Sequence, residues 1–156
     1  MSKTEFVIEP GRQDIVMTRE FDAARDLVFR ACTEPELFRR WIGSKGRPTE
    51  VDIWEPHHGG RYRWHLTDDE GREFAFRGVF HEVSPERIVQ TFEWEGMIGH
   101  ICLTTITLEE LPGGRTRYVG LDVFQTVEDR DGMVSNGMQG GAEEGMDQLA
   151  DVLASL

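Results

Sequence analysis

Apolar and polar positions alternate over residues 14–21, the period of a half-buried strand. The stretch Phe21-Asp22-Ala23-Ala24 then ends that strand, with Asp22 placed as a cap before a helical pattern over residues 24–31. Val28, Ala31 and Cys32 fall on one face of this helix. Glu34-Pro35 breaks the run, and Leu37, Phe38 and Trp41 make a second short apolar face, so two small helices follow the first strand. Gly43-Ser44-Lys45-Gly46 reads as a flexible loop.

Six further strands are predicted, over residues 49–54, 61–67, 73–83, 87–95, 100–110 and 115–124. Their connections are short and rich in Gly, Pro, Asp and Ser, which makes consecutive strands antiparallel neighbours. Alternation puts Tyr62, Trp64 and Leu66 on one face, Phe74, Phe76 and Phe80 on one face of the next strand, and Phe92 with Trp94 on one face of the following one. One aromatic sheet face results, and it needs a cover. The carboxyl-terminal segment supplies it: Met138, Ala142, Gly145, Met146, Leu149, Val152 and Leu153 recur at helical intervals, with Glu143, Glu144, Asp147 and Asp151 on the other side. Thr126 followed by Asp129 has the form of a helix cap, and Ser135 or Asn136 is placed to cap the long final helix.

A strand, two small helices, six strands and a long final helix is the order of an α+β helix-grip domain, a bent antiparallel sheet wrapped around its last helix. The resemblance to a known family rests on residues 18–29, on Pro35 to Trp41, on Gly59-Gly60-Arg61-Tyr62-Arg63, on residues 78–89, on Gly114-Arg115-Thr116 and on the glycine-rich helix from Gly137. Through these the chain resembles the bacterial group named after the activator of the heat-shock protein ninety ATPase, within the START-like, SRPBCC superfamily. The resemblance runs from about Asp14 to the end and implies one START-like domain over residues 14–156, preceded by an extension over residues 1–13. It is specific for fold rather than activity. It implies an internal ligand cavity between sheet and helix, and the superfamily also contains cyclase and hydrolase enzymes. The co-chaperone that names the group has an additional amino-terminal domain that the residues before Asp14 do not supply. The turn Glu55-Pro56-His57-His58-Gly59-Gly60 also departs from the group by two histidines.

Charge and composition narrow the function classes. With 17 Lys plus Arg against 29 Asp plus Glu among 156 residues, the net charge is −12, which disfavours phosphate backbones as partners. No apolar run approaches a membrane span, and the charged amino end is no leader peptide, so the expected address is the cytoplasm. Cys32 and Cys102 read as reduced, buried thiols.

Candidate chemistry is sparse. His57, His58 and His65 fit no metal-ligand spacing, His81 and His100 have no nucleophile beside them, and neither a metal nor a cofactor is expected. Glu82 shares strand parity with Phe80, and Asp122 shares it with Tyr118 and Phe124. Either carboxylate, if directed into an apolar cavity, would have a raised pKa and act as an acid or base; at a strand end it would instead meet solvent or an arginine. Trp64, Phe76, Phe80, Phe92, Trp94 and Tyr118 are core or ligand lining. The glycines of the last helix favour lining, because each costs about 1 kcal/mol relative to alanine in a helix interior. Gly141 and Gly145 lie on one stripe flanked by Met138 and Met146, which is expected to face the sheet across a void. The reading that follows is a binder of a small apolar or aromatic molecule, with a cavity-carboxylate enzyme second and a chaperone-interacting module third.

Overall fold

The computed structural model describes residues 3–44 and 46–156, so Lys45 of the expected loop lies outside the described residues. Eight strands form one antiparallel sheet: β1 (Glu5–Val7), β2 (Asp14–Phe21), β3 (Glu50–Trp54), β4 (Arg61–Thr67), β5 (Glu73–Val83), β6 (Arg87–Trp94), β7 (Ile101–Leu111) and β8 (Arg115–Phe124). Their order is β1-β2-β8-β7-β6-β5-β4-β3, so the first long strand closes on the last. Helices α1 (Arg25–Thr33) and α2 (Pro35–Trp41) follow β2, and α3 (Val127–Ser135) and α4 (Met138–Ala154) end the chain. This is a helix-grip α+β fold, with the bent sheet around the long last helix.

Within the expected extension, Glu5–Val7 forms an edge strand that pairs Phe6 with Met17. Two local readings are corrected. The N-cap of α1 is Ala24 rather than Asp22, whose carboxylate instead takes the Arg115 guanidinium at 3.2 Å. The N-cap of α4 is Gly137, whose φ of 81° turns the chain out of α3 in a conformation that Ser135 or Asn136 would resist. The Thr126 cap is present, its hydroxyl accepting from the Asp129 N–H at 3.0 Å.

Burial follows the alternation. On the inner face Tyr62, Trp64, Phe80, Ile88, Leu108 and Tyr118 pack with Met146, Leu149, Val152 and Leu153 of α4 and with Val28, Ala31 and Trp41 of α1 and α2. A second, smaller cluster joins Ile15, Cys102 and Phe124 to Met133, Val134 and Met138. Indole N–H groups are spent on helix α1, from Trp41 to the Ala31 carbonyl (2.8 Å) and from Trp54 to the Thr33 carbonyl (2.6 Å). These bonds fix the small helices over the sheet. Helix α4 also packs on α2, α1 and α3.

Candidate functional site

The inner face of the sheet is built from in-register rows of side chains, because paired residues of antiparallel strands share a face. Phe92, Cys102 and Phe124 form one row, and Ile88, Ile106, Gly120 and Met17 form another. Between them runs a row of Gln90, Thr104 and Asp122, ending at Ile15. Three polar side chains therefore occupy the seam between the two apolar clusters. An unpaired polar group in such a place costs a few kcal/mol, so the partners of each decide what the row is for.

Thr104 donates its hydroxyl to Asp122 Oδ1 at 2.7 Å, and the Cys102 thiol is the other side-chain donor at that carboxyl. Gln90 reaches the Tyr62 hydroxyl, which donates to the Thr91 carbonyl at 2.6 Å. Desolvation raises the Asp122 pKa above the ordinary aspartate range, and the Thr104 bond opposes that shift only partly. No arginine or lysine among the described residues pairs with it. Glu93, buried on the outer face, is the contrast: it accepts from the Gly99 N–H at 2.6 Å and from Arg77 at 2.9 Å, and its pKa is lowered.

Gln90, Thr104 and Asp122 all retain accessible surface, as do Phe76 and Phe92 beside them, although their strand parity directs them inward. The aromatic part of this wall is a stack, Trp64 on Phe76 at 4.4 Å and Phe76 on Phe92 at 5.2 Å between ring centroids. Beside it, Gly78 makes room for Tyr62. The β5–β6 ladder breaks between Arg77↔Glu93 and Phe80↔Gln90, and Tyr62 crosses Gly78 to reach Thr91. A Cβ on Gly78 would lie 2.0 Å from the Thr91 carbonyl oxygen and 2.5 Å from the Tyr62 ring.

The residues singled out in sequence divide as follows. Trp64, Phe80, Tyr118 and Met146 are buried on the inner side, while Phe76, Phe92 and Met138 are partly exposed there. Trp94 shares their face but stands at the sheet rim, 6.4 Å from Phe74 and folded against Gly96, in neither apolar cluster. Glu82 does not enter the interior. Register slips between Phe80 and Glu82, so His81 is an extra residue, Glu82 turns outward to Arg87 (2.6 and 3.1 Å), and Val83 turns inward. That guanidinium lowers the Glu82 pKa. The glycine stripe is corrected too: Gly141 is exposed with nothing within 4 Å of its Cβ position, and the Cβ position of Gly145 faces the Trp41 carbonyl of α2, 3.6 Å away, not the sheet. Gln90 and Thr104 were missed by sequence reasoning, although strand register alone aligns them with Asp122.

His57 and His58 lie in the β3–β4 turn, His58 Nδ1 against the His81 carbonyl, and His65 Nδ1 meets Asp52 at 2.7 Å on the outer face. No group of three metal-ligating side chains gathers among the described residues. A groove of about 480 Å³ crosses the outer face between Ile53, Arg63, Arg77, Glu93 and Ile101. Its charges are consumed internally, Arg63 by Glu95 (2.8 Å) and Arg77 by Glu93 (2.9 Å), so the inner wall is the better candidate.

A bent sheet gripping a long helix, with a mixed polar and aromatic inner wall, defines a START-like protein of the SRPBCC type. The family model described as "Activator of Hsp90 ATPase homolog 1-like protein" matches residues 22–154, and the chain belongs to that family. A solved structure from Rhodobacter sphaeroides is similar at 28% identity and a TM-score of 0.85, over 97% of this chain and 99% of that one. One from Arthrobacter aurescens shares the fold at 22% identity and a TM-score of 0.88, over 97% and 92% of the two chains. Another from Mycobacterium smegmatis does so at 19% and 0.86, over 96% of each. No curated protein matches the chain. No helix among the described residues is long and apolar enough to cross a membrane.

Proposed function

We propose that this protein binds a small apolar or aromatic molecule on the inner wall of the sheet, beneath the amino-terminal half of α4. The observation that carries the reading is the set Phe76, Gln90, Phe92, Thr104 and Asp122, which face inward and yet are not sealed by the helices. A wall built only for stability would be covered, because each buried apolar side chain contributes about 1.5–3 kcal/mol. Aromatic walls with a few convergent polar groups are the usual composition of small-molecule sites. The address we infer is the cytoplasm, and no cofactor is part of the reading.

Native mass spectrometry of freshly purified protein, followed by organic extraction, tests it. The expected result is a bound molecule removed by solvent, or tight uptake of an aromatic compound by the emptied protein. Absence of both overturns the reading.

A second reading has one observation in its favour: the raised pKa of Asp122 suits a general acid in a cyclase or hydrolase reaction. Recovery of the bound compound unchanged after prolonged incubation separates binding from turnover. The third reading, contact with a chaperone of the class named in the family description, is tested by retention of that chaperone on the immobilised protein.

A further inference from the structure

We propose that the inner-wall site selects cations: its ligand is an apolar or aromatic molecule bearing a protonated amine, whose N–H groups meet the Asp122 carboxylate. This deepens the reading of the inner wall as a ligand site and rests on it. Among the described residues Asp122 has a hydroxyl and a thiol as neighbours but no positively charged partner. The ionisable groups facing it are the Cys102 thiol and the Tyr62 and Tyr118 phenols, none of which carries a positive charge. Arg19 is on the same face, but at the row of Tyr118, and its guanidinium is held by Asp147 at 2.7 Å and Thr4 at 3.1 Å. By contrast Glu93, a buried acid of the sheet, has its arginine.

A carboxylate desolvated without a counter-ion is the group that gains most from an incoming cation. The Thr104 hydroxyl holds Oδ1 at 2.7 Å and so orients the carboxyl. On the same face of the sheet the stacked Phe76 and Phe92 supply an apolar wall for the rest of such a molecule. The long-range field of a chain with net charge −12 pulls the same way, so the test must separate that field from the local contact.

Three probes of matched shape do so: naphthylmethylamine, naphthalenemethanol and naphthoate, titrated calorimetrically into the full chain at neutral pH. The unmodified protein is expected to bind the amine about tenfold or more tightly than the alcohol, with naphthoate weakest. Asp122→Asn is expected to erase the preference for the amine over the alcohol. Glu82→Gln, which removes the same unit of charge from the outer surface, is expected to keep the preference. Equal binding of amine and alcohol by the unmodified protein, or a preference that survives in Asp122→Asn, overturns the inference and leaves the inner-wall site standing. If none of the three probes binds, the ligand-site reading itself falls, and the inference with it.

Discussion

Asp122 sets a measurable signature on stability. Its folded-state pKa is raised by desolvation, so the folded protein holds that proton more tightly than the unfolded chain does. Stability from this group is therefore present at low pH and is lost as pH rises from the ordinary aspartate range through the raised value. Asp122→Asn is expected to match the unmodified protein near pH 4 and to become progressively more stable than it as pH rises, levelling off above the raised pKa. Urea melts over a pH series check the sign, and a difference that shrinks with pH contradicts it. The thiols give a second residue-scale expectation. Burial pushes both Cys32 and Cys102 up to about 12, so neither is a nucleophile at neutral pH in the folded state. Mass spectrometry after iodoacetamide treatment is expected to find both unmodified in the native protein and both alkylated in denaturant. Parity made Asp122 legible as an inward carboxylate. It failed at Glu82, because only coordinates reveal that His81 is an extra residue in β5.

Among the elements, the strands and their pairing were readable because their turns are marked by Gly, Pro and Asp and their faces by aromatic residues. Strand β1 was not readable, since Glu5–Val7 is too short to display a period and is held by pairing with β2. Helix α4 was found from its apolar stripe, but the role of its glycines was not. Periodicity places Gly141 and Gly145 on one side of the helix without saying which neighbour that side meets. The structure now separates the two kinds of glycine. Gly141→Ala is expected to stabilise by up to about 1 kcal/mol, because its Cβ meets open space. Gly78→Ala is expected to cost about 3 kcal/mol, because the methyl collides with the Thr91 carbonyl and displaces Tyr62. Thr126→Ala removes the hydroxyl that accepts the Asp129 N–H and is expected to cost about 1 kcal/mol. Denaturant melts of the three variants rank them, and a loss of stability in Gly141→Ala contradicts the placement of α4.

At the scale of the whole molecule, the outer face of the sheet and the inner one are made differently. Charges on the outer face find each other: Arg63 with Asp52 and Glu95, Arg77 with Glu93, Arg117 with Glu20 and Glu109. Such exposed pairs contribute little stability, but they leave the outer groove without a free charge for a ligand. On the inner face the polar row has hydroxyl, amide and carboxyl groups, and no arginine among the described residues pairs with its carboxyl. The fold and the family carry no substrate of their own, so the claim that function resides on the inner wall has to be tested at that wall. The direct measurement is a backbone amide NMR titration of the isotope-labelled protein with naphthylmethylamine. The account predicts saturable shifts at Phe76, Gln90, Phe92, Thr104 and Asp122; shifts confined to Ile53, Arg77, Glu93 and Ile101 of the outer groove would contradict it.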